Sequence, residues 1–181
     1  SDPGLLALAE GMSEEIVTGL ARFSYLRVIS RSSTERYASE TVDVRSVGKE
    51  LGARYVLEGS LRQAGSQLRV AVQLVDAVTG AHLWAETYER PFRPEDLFAL
   101  QDDLVPRIVS TVADMHGVLP RSMSDAVRKK AADQLTPYEA LLHSFGYNER
   151  WTMEALAESR TCLGRAVQQD PRNGDCWAML S

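Results

Sequence analysis

Hydrophobic residues recur along this chain with two different periods, and the points where the period changes mark its elements. In MSEEIVTGLARF (12–23), Met12, Ile16, Gly19, Leu20 and Phe23 share one helical face. Ser13 stands at the N-cap position, and Glu14 and Glu15 occupy the first turn, where the helix dipole favours acids. The pattern predicts an amphipathic helix. LRVIS (26–30) follows as a short apolar strand, and the polar SSTERY comes after it. Asp43 is placed to cap a second helix carrying Val44, Val47 and Leu51 on one face, with Gly52 at its left-handed end.

VLEGSLRQAGSQLRVAVQLVD (56–76) then alternates with period two. Leu68, Val70, Val72 and Leu74 lie on one side and Arg69, Ala71 and Gln73 on the other, which predicts a hairpin turning at Ala64-Gly65-Ser66. After the DAVTG turn, AHLWAETYE (81–89) adds a third strand with His82, Trp84, Glu86 and Tyr88 on one side. Beyond Pro94 the period lengthens. Leu97, Leu100, Leu104, Ile108, Thr111, Val112 and Met115 line a long helix that Pro106 should kink or divide. This order predicts an α/β fold: a mixed sheet with an antiparallel three-stranded meander covered by helices.

The remainder reads as helical. SMSDAVRKKAADQ is an exposed-looking helix or linker, and Thr136-Pro137-Tyr138-Glu139 is a capping box with proline at the first helical position. The helix that starts there and one starting at Thr152 form an α-hairpin ending at Asp170-Pro171. The division predicted is an α/β domain over 1–118, a helical linker over 119–135 and a helical-repeat segment over 136–181.

Composition narrows the functions open to such a chain. Its 181 residues, 44% hydrophobic and 25% charged, are those of a globular protein, with no apolar run near the ~20 residues of a membrane span and no visible signal peptide. A net charge of −5 lacks the basic footprint of a nucleic-acid binder, and Arg128-Lys129-Lys130 reads as a solvated cluster. Cys162 and Cys176 have no CxxC spacing and suit reduced thiols in a cytoplasm.

No catalytic constellation emerges from the pattern. The glycines lack phosphate-loop spacing, His82, His116 and His143 lie on separate elements, and Asp102 and Asp103 point ~100° apart on one helix. The expectation is no catalytic residue, no metal and no cofactor. Arg31, Ser32 and Ser33 form a candidate anion or ligand contact against the alternative of a capped turn. Trp84 and Tyr88 form a candidate interaction surface against the alternative of packing beneath a helix.

Two resemblances add to this reading. AVQQDPRNGDCWAMLS resembles a tetratricopeptide repeat junction, with Ala166 as the small residue, Pro171 at the turn, and Trp177 and Leu180 at the anchors of a following repeat. Trp177 therefore joins the candidate interaction surface. Residues 9–116 resemble the TolB amino-terminal (FlgO-like) domain through AEGMSEEIVTGLARF, LRVISRSSTERY, VGKELGARYVLEGSLRQAG, LRVAVQLVDAVTGAHLWAETYER and DLFALQDDLV. That resemblance implies a non-catalytic regulatory module of a cytoplasmic bacterial signalling protein. The output domain it implies is a class III adenylate/guanylate cyclase, with a winged-helix regulator or a purely structural adaptor as alternatives. It implies a protein partner through the repeat segment and an apolar strand before Ser1, while charge and the apolar runs already point to no nucleic acid and no membrane for this segment. The edge left by that strand suggests a homodimer that completes the sheet.

Overall fold

The computed structural model describes residues 3–38 and 42–181. The chain divides into two compact units, one of residues up to Arg22 with Leu26–Val109, the other of Phe23–Tyr25 with Ser110–Ser181.

In the first unit a helix α1 (Pro3–Leu20) precedes two short helices, α2 (Arg31–Thr34) and α3 (Val44–Leu51). Three strands follow, β1 (Tyr55–Ala64), β2 (Gln67–Asp76) and β3 (Ala81–Pro91), and then α4 (Leu97–Ala113). The strands form an antiparallel sheet in the order β1-β2-β3. The alternation in β2 decides its dry side: Leu68, Val70, Val72 and Leu74 are all buried, with Leu8, Met12, Leu100, Leu104 and Ile108 of α1 and α4 in the same core. This is the α/β arrangement of a meander covered by helices.

Glycine sets the spacing of the two covering helices. A Cβ on Gly11 would come within 2.0 Å of Gln101 Nε2, and one on Gly19 within 2.8 Å of a Val109 methyl. Both contacts advance equally along the two helices, so α1 and α4 run parallel. Arg90 of β3 donates to Asp103 of α4 at 2.9 Å, as does Arg107 one turn along, and the two guanidiniums hold the Asp103 carboxyl below the usual carboxylate range. Asp103 is thus a tie between strand and helix.

Four expectations need correction. The first helix starts at Pro3, so Ser13 is not its cap; inside the helix its hydroxyl donates to the Ala9 carbonyl at 2.8 Å. LRVIS joins none of the three strands, because apolar residues favour burial but a strand also needs a neighbouring backbone to bond. Pro106 does not divide α4, which ends at Ala113 and leaves Met115 beyond it and exposed. His82 leaves the side of Trp84, since the register shifts from Leu74↔Trp84 to Val75↔His82 and Leu83 is the extra residue of a bulge.

In the second unit α6 (Pro137–Phe145) is central, in contact with α5 (Val118–Val127), α8 (Met153–Gln169) and α9 (Gly174–Leu180). Ala140 to Phe145 are all buried. The capping box at its start is formed, with Glu139 N donating to Thr136 Oγ1 at 3.2 Å and Thr136 N to Glu139 at 3.0 Å. Thr152 and Asn173 cap α8 and α9 with their side chains alone, accepting from Ala155 N at 3.1 Å and Cys176 N at 3.0 Å. Residues 119–127, expected to be exposed or linking, contribute buried Leu119, Pro120 and Val127 to this unit, and Arg128-Lys129-Lys130 follows the helix end. Tyr25 docks here: its hydroxyl donates to the Ala113 carbonyl, its ring lies edge-on to Phe145 at 5.1 Å, and its own carbonyl accepts from Tyr138 at 2.9 Å.

Two identical substitutions should act in opposite directions. A Cβ on Gly48 of α3 would meet the Ala77 Cβ at 2.4 Å and the Ala53 carbonyl at 2.7 Å, whereas one on Gly164 of α8 would meet nothing within 4 Å. Gly48→Ala is expected to destabilise by roughly 1–3 kcal/mol through overpacking against backbone. Gly164→Ala is expected to stabilise by up to ~1 kcal/mol through helix propensity. Urea unfolding of both variants checks this, and shifts of the same sign would contradict the packing described.

Candidate functional site

The bulge at Leu83 carries His82 to a polar concavity of the first unit. Side chains of paired residues share a face, so Val56, Val75 and His82 lie on the side of the sheet away from the core, in line with Glu58 and Gln73. That face meets the N-terminus of α3 in a cleft of about 300 Å³, lined by Asp43, Val44, Arg45, Glu58, Val75, Thr79, Gly80 and His82.

Each wall has a local cause. Asp43 caps α3 by accepting from Arg45 N at 3.0 Å, and the Arg45 guanidinium folds back onto the same carboxylate, also at 3.0 Å, holding it low. The opposite wall is the turn between β2 and β3, which is organised by Asp76. Its Oδ1 accepts from Val78 N at 2.8 Å and Thr79 N at 3.1 Å, Arg54 lies 3.4 Å from Oδ2, and only 6% of the residue is exposed. Gly80 closes the turn at φ 76°, where L side chains are strained. Glu58 accepts from Gln73 across the strands.

The cleft therefore offers a carboxylate, an imidazole, a hydroxyl and a neutralised ion pair at its rim. Such a set can hold a small polar ligand by hydrogen bonds. Among the described residues no three His, Cys, Asp or Glu side chains gather at metal-binding range.

The residues singled out from sequence lie elsewhere. Arg31 starts α2 and approaches Glu10 at 3.5 Å and Glu35 at 3.6 Å, so two carboxylates already face its charge. The hydroxyls of Ser32 and Ser33 each lie 3.1 Å from Ser30 Oγ. Trp84 and Tyr88 point to the covered face: Trp84 is half-buried against the core, and Tyr88 is 8% exposed, with its hydroxyl donating to Glu86 at 3.0 Å and its pKa pushed up to about 12, first by burial. Trp177 is 51% exposed and donates its indole N–H to the Pro171 carbonyl at 3.0 Å.

Sequence reasoning missed Asp43, Arg45, Glu58, Thr79 and His82 as neighbours. The helix cap and the DAVTG turn were legible signals for two walls; the bulge that brings His82 to them was not.

The second unit buries polar atoms without partners. His143 of α6 is 6% exposed with Nδ1 unbonded, and Ser159 of α8 is 4% exposed with its hydroxyl unbonded. Burial pushes the His143 pKa down, against the nearby Glu158 carboxylate that raises it.

Fold and site together describe a small α/β domain that carries a polar cleft, with helical residues following it in the chain. Over residues 4–107 the chain matches the family described as "HilA/YgeH-like transcriptional regulator, second domain", and it belongs to that family. It is also 36% identical over 182 residues to "Putative adenylate cyclase 3" of Rhizobium meliloti (strain 1021), an alignment covering 99% of this chain and 30% of that relative. The chain thus spans less than a third of this relative's length. The two likenesses meet in a regulatory module. No helix among the described residues is long and apolar enough to cross a membrane.

Two outcomes test this geometry. Asp76→Ala leaves two turn N–H groups without their acceptor and is expected to cost about 2–3 kcal/mol, while Asp76→Asn, which keeps an oxygen there, should cost much less; thermal melts of the pair measure the difference. For His143, the folded pKa lies below the unfolded one of about 6.5, so its protonation favours the unfolded chain. Its contribution is intact above pH ~6.5 and is lost as pH falls toward the folded pKa. Urea midpoints of the second unit should fall as the pH drops below ~6.5, and His143→Leu should flatten that slope.

Proposed function

We propose that this chain is a non-catalytic regulatory and protein-interaction module of a multidomain, cytoplasmic bacterial signalling protein whose output domain is an adenylate/guanylate cyclase. The observation that carries the reading is the 36% identity sustained over 99% of the chain with a protein named as an adenylate cyclase more than three times as long. In this reading the first unit is the TolB-N/FlgO-like domain and acts as the sensing part. Its ligand site is the Asp43–His82 cleft in preference to Arg31-Ser32-Ser33, because Glu10 and Glu35 already engage Arg31.

The second unit is read as the start of a tetratricopeptide array that binds a protein partner. Three features support this: the caps of alternate helices at Thr136 and Asn173 spaced close to the ~34-residue repeat, Ala166 buried within α8, and an exposed Trp177 on α9. In this reading the repeat segment covers 136–181 and is preceded, within the same compact unit, by residues 110–135.

A second reading, the same module in a winged-helix transcriptional regulator, is favoured by the family match over 4–107. Cyclase activity of the full-length parent, with and without residues 9–116, tests the first. A several-fold change in cyclic-nucleotide production is expected on deletion. Unchanged output would overturn the sensing role and leave an adaptor, and sequence-specific DNA retention by a parent without cyclase activity would favour the second reading.

A further inference from the structure

The cleft beside the Leu83 bulge sorts its hydrogen-bonding groups by kind, and one corner gathers donors. Thr79 Oγ1 accepts from Ala81 N at 3.2 Å, which leaves its hydroxyl proton to be given elsewhere. Arg45 lays its stem along the turn, since a Cβ on Gly80 would lie 3.6 Å from its Cδ. It binds Asp43 through Nε and one terminal nitrogen, so the other terminal nitrogen is still a donor. His82, exposed at the start of β3, adds an imidazole N–H. Among the described residues no acceptor engages these three donors.

The opposite corner is an acceptor. Glu58 takes one hydrogen bond from Gln73 on Oε1, and no described residue engages its Oε2. Register fixes how far apart the corners stand: Glu58 pairs with Gln73, whereas His82 pairs with Val75, so Glu58 and His82 lie two strands and one pleat apart with Val75 between them. Neighbouring strands are ~4.8 Å apart and alternate residues ~6.8 Å along a strand, which sets the two backbones about 12 Å from each other. Both side chains line the cleft, and the gap left between them is that of a small molecule; a lone ion cannot touch both corners.

We propose that the cleft takes a small hydrophilic α-amino acid as its zwitterion, a proposal that rests on the reading of this cleft as the ligand site of the module. Glu58 holds the ammonium, and the Thr79 hydroxyl, the Arg45 guanidinium and the His82 imidazole hold the carboxylate. Both charges of the ligand are then met by charge-assisted hydrogen bonds. An anion alone would face the carboxylates of Asp43 and Glu58 against one guanidinium, and an amine alone would leave the donor corner unmatched. A zwitterion answers both corners at once. Val75 is only 2% exposed, which leaves Val44 as the one apolar wall, so a long apolar side chain gains little here and a short polar one is preferred.

L-serine is the probe, with ethanolamine and 3-hydroxypropionate as the same molecule without its carboxylate or without its ammonium. The full 181-residue chain is titrated with each at neutral pH and followed by the NMR signals of its amides and of the His82 ring. L-serine is expected to give saturable shifts confined to residues 43–45, 58 and 79–82, and each half to bind roughly tenfold or more weakly. Glu58→Gln should weaken L-serine about tenfold and leave 3-hydroxypropionate unchanged, whereas His82→Ala should weaken L-serine and 3-hydroxypropionate and leave ethanolamine unchanged. Neither change puts folding at risk, because Glu58→Gln keeps an oxygen for Gln73 and His82 is exposed. No saturable shift, shifts only outside the cleft, a half that binds as tightly as L-serine, or indifference of L-serine to either substitution would each overturn the proposal. L-serine binding beside unchanged cyclase output on deleting residues 9–116 would sink the sensing role alone, and changed output without L-serine binding would sink this inference alone.

Discussion

The first unit depends on the burial of one side of its central strand. Leu68, Val70, Val72 and Leu74 bring four apolar side chains to the floor on which α1 and α4 rest, and each is 5% exposed or less. At ~25 cal/mol per Å² of apolar surface removed from water, such a row outweighs any single polar contact in the unit. The glycines of α1 matter because of it: a helix held off by side chains at positions 11 and 19 would leave this floor partly wet. The salt links from Asp103 to Arg90 and Arg107 fix the register of α4 over the strand, and being partly exposed they specify position more than they stabilise.

Where the sequence carried a period or a local chemical signature, it could be read. The β2 alternation, the turn at Gly65, the cap at Asp43 with left-handed Gly52, and the Thr136–Glu139 box are all local, and all are formed. What could not be read depends on partners distant in sequence. LRVIS has a strand's composition without a strand's neighbour. Ser13 resembles a cap because the apolar stripe strengthens after it, yet Leu5 and Leu8 already belong to the same stripe.

The candidate site shows the same division more sharply. Its walls are a helix cap and an Asx-type turn, both written in a few consecutive residues. Its assembly rests on one extra residue, Leu83, which turns His82 through the sheet, and an insertion of that kind leaves no trace in hydrophobic alternation this short. Trp84 and Tyr88 drew notice for being aromatic, and their strand position under two helices accounts for them as packing residues. In the second unit, nothing in the run LLHSF distinguishes a buried, unbonded imidazole from a solvent-facing one, since α6 is enclosed on nearly every side by helices that come before and after it.

The parallel placement of α1 and α4 also has a consequence in time. Strand pairing within the meander links residues close in sequence and forms early, whereas Leu8 and Met12 join a core whose other members include Leu100 and Leu104. During synthesis α1 is made first and can dock last. Its apolar stripe waits in solvent until roughly ninety further residues have been added, which makes this segment the one most dependent on chaperone shielding while the rest of the unit is still being made.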